Sequence, residues 1–245
     1  MNKTEKKFLT IIPARKGSRR VPNKNIRPLA GVPLIEWTFK ACASLDINQD
    51  VFVSTNCEKI QESARSFGLL CPELRPEELA QDLTSTADVV HYIIRYCQKN
   101  LNCIYENILL LQPTSPLRSS RDIKEAISLF TQKSADAIQS YTPAECPPMW
   151  INTIEASLQT DDFIPQNFKN IRSQDLGQFY RINGAIYIIK ASIFLEKSSF
   201  LVPNSFAYIM PRSRSIDIDD EYDFIVADLM ALHAKNYPQI ASGEI

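Results

Sequence analysis

The sequence predicts an α/β protein with a mostly parallel sheet and helices on both faces, and three observations predict it. Short apolar runs alternate with 3.6-residue apolar patterns from Phe8 to Tyr141, the rhythm of βαβ units. The run from Ile108 to Leu111 is apolar without a break, as expected of a strand covered on both faces. Charged and polar residues cluster just after the strands, where ligands bind in such sheets.

Phe8–Ile12 reads as the first strand and Pro33–Ser44 as the first helix, with Leu34, Ile35, Thr38, Phe39 and Cys42 on its apolar face. Val51–Ser54 is a second strand. Glu58–Phe67 is a helix that Gly68 stops, and Thr84–Cys97 is another, burying Val90, Ile93, Ile94 and Cys97. The central strand ends at Gln112. Ser119–Lys133 follows as a helix capped by Ser119 or Ser120, then Ala137–Tyr141 as a strand. Residues 144–183 break the rhythm with Pro147-Pro148 and a polar tract, too long for a bare loop, and read as an inserted arm suited to dimerisation. Ala185–Lys190 and Phe206–Met210 return to strand, and Glu221–Lys235 closes the chain as an amphipathic helix. One domain of 245 residues with this insertion is the expected organisation.

Composition excludes several classes. At 44% apolar residues the chain can bury a sizeable core, which sets disorder aside. A net charge of −1 gives no domain-wide positive field, so nucleic acid is not an expected partner. The six cysteines include no C-x-x-C pair and have no histidine at ligand spacing, which argues against a disulfide framework or a zinc site. No apolar run reaches membrane-spanning length, and Pro13 and Arg15 end the first one too early for a signal peptide. A cytoplasmic protein without membrane contact is expected.

Two stretches carry candidate chemistry. The first strand opens into a loop with Arg15, Lys16, Arg19, Arg20 and Lys24 around Gly17. Five cations so close repel one another unless something strongly anionic sits among them, and Gly17 lets backbone approach it, so a polyphosphate cradle competes with a merely solvated loop. Near the other end, Asp217 and Asp219 share one face of an extended segment while Ile216 and Ile218 point inward. Paired carboxylates suit Mg²⁺, which takes one or two carboxylates together with substrate phosphates. Helix capping would need only one of them. Gln112 is held by the prolines that follow it, and Arg75 is suited either to a carboxylate or to a base. The absence of G-x-G-x-x-G, G-x-x-x-x-G-K-[ST] and G-x-S-x-G removes the common dinucleotide, P-loop and esterase motifs.

Pro13–Asn25, Arg75–Asp82, Leu111–Arg118, Asn183–Tyr187 and Ser215–Asp219, in that order, resemble the CMP-sialic acid synthetases, or acylneuraminate cytidylyltransferases. The resemblance implies a nucleotide-diphospho-sugar transferase-like fold with a dimerisation arm. It implies transfer of CMP from CTP to a nine-carbon α-keto sugar acid, an N-acetylneuraminate or legionaminate, with release of pyrophosphate. It further implies a homodimer and one Mg²⁺, with room for a second. Carried over by position, Arg15 and Lys24 take the triphosphate, with Gly17 shaping the loop, and Asn25, Arg75, Ser85 and Thr86 hold the cytidine. Gln112, Arg172 and Tyr187 hold the sugar acid, and Asp217 and Asp219 the metal. The segment around Arg172 aligns only with a one-residue insertion, and 144–170 match weakly. Rivals are a CMP-pseudaminate or CMP-KDO synthetase on the same fold and a non-catalytic nucleotide-binding subunit.

Overall fold

Strand β1 (Thr4–Pro13) is an interior strand of a six-stranded sheet, and its alternating side chains bury on both faces: Phe8 and Ile12 toward one layer, Leu9 and Ile11 toward the other. The computed structural model describes residues 4–236. A two-strand hairpin, β2 (Pro28–Leu29) and β3 (Val32–Pro33), follows the basic loop and leads into α1 (Leu34–Ala43). Next come β4 (Gln49–Ser54), α2 (Glu58–Ser66), α3 (Thr86–Asn100), β5 (Cys103–Leu110), α4 (Ser120–Gln132) and β6 (Ala137–Pro143). After the inserted tract the chain forms β7 (Tyr180–Lys190), α5 (Ala191–Lys197), β8 (Ser205–Ile209) and α6 (Glu221–Asn236).

The strand order is β4-β1-β5-β7-β6-β8. β1 pairs in parallel with β4 and β5, and β6 with β8, while β7 runs antiparallel to both its neighbours. The sheet is therefore mostly parallel, as expected. One layer packs α1, α2 and α4 on it through Phe39, Ile60 and Phe130, and the opposite layer packs α3 and α5 through Ile93 and Phe194. A third cluster joins α6 to the hairpin through Phe224, Ala227, Leu29 and Val21, and includes Ile218.

The structure differs from expectation in three places. β1 begins at Thr4, because β5 pairs with its charged start from Cys103 onward, so the ladder recruits residues that a hydrophobic pattern omits. β7 begins at Tyr180, because Tyr180–Ile182 pair with Pro143–Tyr141, so the irregular tract covers 144–179. Helix α5 is too short to show a period. The tract contains only single 3-10 turns, and none of its residues joins the three core clusters. Ile151, Ile154 and Leu158 on it are exposed. Among the described residues no helix is long and apolar enough to cross a membrane.

Candidate active site

Four segments from distant parts of the chain meet at the carboxyl ends of β1 and β5: the basic loop, the lead into α3, the turn after β5, and the segment before α6. A cleft there is lined by Arg15, Gly17, Lys24 and Asn25 from the first, Arg75, Ser85 and Thr86 from the second, and Gln112 and Thr114 from the third.

The basic loop is fixed from within. Ala14 N–H donates to the Ser54 carbonyl (2.8 Å), Val21 is fully buried, and Asn25 Nδ2 donates to the Arg15 carbonyl (3.2 Å). Gly17 has φ +81°, a conformation other residues rarely adopt, although a Cβ there would meet nothing within 4 Å. Arg15 Nη1 donates to Asp82 at 2.5 Å, Arg19 shares the same carboxylate, and Arg20 lies 3.5 Å from Asp219. Lys24 Nζ donates to the Ile218 carbonyl at 2.5 Å, which ties the loop to the acid segment. Burial lowers the Lys24 pKa, and the nearby Asp217 and Asp219 oppose that shift.

Arg75 does not pair with a carboxylate. Its guanidinium is buried and donates to the carbonyl and hydroxyl of Ser54 and to the Leu79 carbonyl. Burial, reinforced by Arg15, pulls its pKa down to about 10. Ser85 caps α3 in a reciprocal box with Asp88, so Ser85 and Thr86 face the cleft from a helix N-terminus.

Residues 215–219 have no regular secondary structure and do not join the sheet. Ile218 is fully buried, and its N–H donates to the Thr114 carbonyl (2.8 Å). Asn183 Nδ2 donates to Ser215 Oγ (2.9 Å), anchoring the segment to β7. The cap of α6 falls to Asp220, whose Oδ1 accepts from Asp223 N–H (3.0 Å), leaving the Asp219 carboxylate free of that duty. Asp217 is the unusual group. Burial raises its pKa, opposed by a hydrogen bond from Thr114 and reinforced by Asp219. Its Oδ1 is buried and has no hydrogen-bond partner. Gly184 leaves room beside it: a Cβ there would lie 3.3 Å from Asp217 Oδ2 and 3.2 Å from Gln112 Oε1.

An orphaned carboxylate oxygen, a second carboxylate two residues on and a missing Cβ together fit an oxygen-preferring divalent cation. Among the described residues no group of three or more His, Cys, Asp or Glu is placed to hold a metal ion. Tyr187, paired in the ladder with Leu110, is partly buried, packs on Phe200 (ring centroids 5.6 Å) and is not among the residues that line the cleft; burial and then Asp217 raise its pKa. Arg172 is not brought to this cleft. It lies on the inserted tract, 73% exposed, and pairs with Asp175 at 2.9 Å.

Gly184, Thr114 and Asn183 shape the site, yet only motif membership marked them in the sequence. A glycine followed by strand residues was their one local signal.

The cleft thus sets a basic loop beside a mostly buried carboxylate, Asp217, and an exposed one, Asp219, which line the adjoining cavity before α6. Residues 9–213 match the family model described as cytidylyltransferase, and the chain belongs to that family. It is 34% identical over 232 residues to the CMP-N,N'-diacetyllegionaminic acid synthase of Legionella pneumophila, covering 93% of this chain and 97% of the relative. It is also 34% identical over 221 residues to an N-acylneuraminate cytidylyltransferase of Streptococcus agalactiae, covering 89% of this chain and 52% of that one, so it spans about half of that relative's length. Among solved structures, a CMP:2-keto-3-deoxy-manno-octonic acid synthetase complexed with CTP superposes with a TM-score of 0.67 at 16% identity, covering 94% of this chain and 99% of the other; that likeness concerns the fold.

Proposed function

We propose that this chain transfers CMP from CTP to the anomeric hydroxyl of a nine-carbon α-keto sugar acid, of the N-acetylneuraminate or legionaminate type, and releases pyrophosphate in the cytoplasm. The observation that carries the reading is the contact between Lys24 and the Ile218 carbonyl, which brings the phosphate-type loop against the carboxylate pair.

Arg15 and Lys24 bind the triphosphate and neutralise the charge that builds on the departing pyrophosphate. Asn25, Arg75, Ser85 and Thr86 receive the cytidine, and Gln112 and Tyr187 hold the sugar acid with its anomeric hydroxyl in line with the α-phosphorus. Asp217 and Asp219 would hold Mg²⁺, which supplies Lewis-acid polarisation of the phosphate oxygens and lowers the pKa of a hydroxyl bound to it. Asp217 suits this task because its ionised form lacks any other buried partner for Oδ1. In the proposed homodimer, the exposed Ile151, Ile154 and Leu158 are covered by the second copy, and Arg172 reaches a neighbouring cleft rather than its own.

Pyrophosphate release from CTP with a panel of N-acetylneuraminate, legionaminate, pseudaminate and the eight-carbon acid tests the assignment. Turnover is expected with a nine-carbon acid and Mg²⁺, and to vanish when chelator is added. Release undiminished by chelator refutes the metal role, and turnover confined to the eight-carbon acid refutes the substrate class.

A further inference from the structure

Arg118 closes the Gln112–Arg118 stretch, and the reading above gives it no task. Its side chain is buried, with the whole residue 2% exposed. Nη1 donates to the Ala185 carbonyl (2.8 Å) and to the Gln112 carbonyl (3.2 Å), and Nη2 donates to Thr38 Oγ1 (2.9 Å). Nε has no partner. All three acceptors are neutral. Burial lowers the pKa to about 10, with Cys42 and Asp122 opposing. Enclosing a guanidinium among neutral oxygens is expensive, and a fitted apolar side chain would be cheaper for stability alone.

The place it occupies gives the reason. The β5–β7 ladder ends with Leu110 opposite Tyr187. Beyond that pair β5 ends and its chain leads to Gln112, which lines the cleft, while β7 continues through Ala185 and Gly184. Arg118 Nη1 bridges the carbonyls on both sides, where ladder hydrogen bonds have stopped. The tolerance at this point is small: a Cβ on Gly184 would crowd Gln112 Oε1 at 3.2 Å and Asp217 Oδ2 at 3.3 Å.

We propose that Arg118 is a positioning residue for the acceptor half of the site: it sets the separation between Gln112 and the Gly184–Asp217 face. The inference rests on the assignment of Gln112 to the sugar acid. CTP contacts come from the basic loop and the lead into α3, which Arg118 does not touch, so the two substrates are predicted to respond differently.

The test is steady-state pyrophosphate release by Arg118→Lys and Thr38→Val, with both substrates varied and melting followed in parallel. Lysine keeps the charge but cannot bridge two carbonyls with a planar fork. Thr38→Val removes one anchor while keeping the guanidinium. The expected result is a KM for the sugar acid raised about tenfold in Arg118→Lys, and less in Thr38→Val, with kcat lowered and the KM for CTP nearly unchanged. If Arg118→Lys does not fold, Thr38→Val decides alone. Folded variants with wild-type constants, or with both KM values moved by the same factor, overturn the positioning role. Wild-type protein inactive with every acid overturns the functional reading instead, and the positioning role with it.

Discussion

Asp122 is a buried aspartate and Asp217 a partly buried one with a buried Oδ1, and the protein treats them in opposite ways. Asp122, at the start of α4, is fully buried and completely satisfied. It receives Ser119 N–H and Oγ in a capping box, two hydrogen bonds from Arg214 (2.9 Å each) and one from Tyr208 (3.2 Å). Burial alone would raise its pKa, but Arg214 and Ser119 outweigh it, and the pKa falls below the ordinary value. At Asp217 burial outweighs the opposing Thr114 hydrogen bond and Lys24 charge: its pKa rises, and one oxygen has no partner. A carboxylate that serves structure is saturated by the fold, whereas one kept for a ligand is left unsaturated until the ligand arrives.

The largest effect that tests this contrast falls on turnover. Asp217→Asn or Asp219→Asn is expected to lower kcat by about two to three orders of magnitude or more while the protein stays folded. For Asp217→Asn, metal-free melting at neutral pH is expected to be unchanged or higher. A raised pKa means that the ionised form costs stability at neutral pH, a cost absent below the unfolded-state pKa. Clear destabilisation would make Asp217 another structural carboxylate.

Asp122→Asn should do the reverse. Removing the charge that faces Arg214 in a buried setting is expected to cost about 3–5 kcal/mol, seen as a fall in Tm of about 10 °C or more. The pH dependence follows from the depressed pKa. The stabilisation is present above the ordinary carboxylate pKa and is lost as pH falls through the lower folded-state value. Wild-type and variant melting curves should therefore converge in acid. A constant gap down to low pH would contradict the assignment.

The smallest effect is expected at Asp82, an exposed carboxylate that both Arg15 and Arg19 contact. In the proposed reaction it competes with the triphosphate for those cations. Asp82→Asn should lower the KM for CTP by about a few-fold, less as salt is added. A higher KM would instead show that Asp82 presents the arginines to the nucleotide.

Much of this was legible in the sequence because it rests on local chemistry. The alternating apolar runs gave the strands of a mostly parallel sheet, and Ser119 and Ser120 marked the start of α4, where Ser119 is the cap. The loop around Gly17 marked residues that line the cleft, and the spacing of Asp217 and Asp219 marked two that line the cavity beside it. The reversed direction of β7 was not legible, since a strand's hydrophobic pattern is the same read either way. Nor was the position of Arg172, because its segment lies outside the core clusters.

The sequence by itself determined which residue types were available and on which faces of their own elements they lay, because side-chain period and capping depend on neighbours a few positions away. Only the tertiary structure decided which of them meet. Lys24 reaches the carbonyl of Ile218, Arg118 joins Gln112 to Ala185, and Gly184 leaves the space beside Asp217. Those choices depend on strand order and on burial, quantities that belong to the packed chain as a whole and have no trace in any single stretch of it.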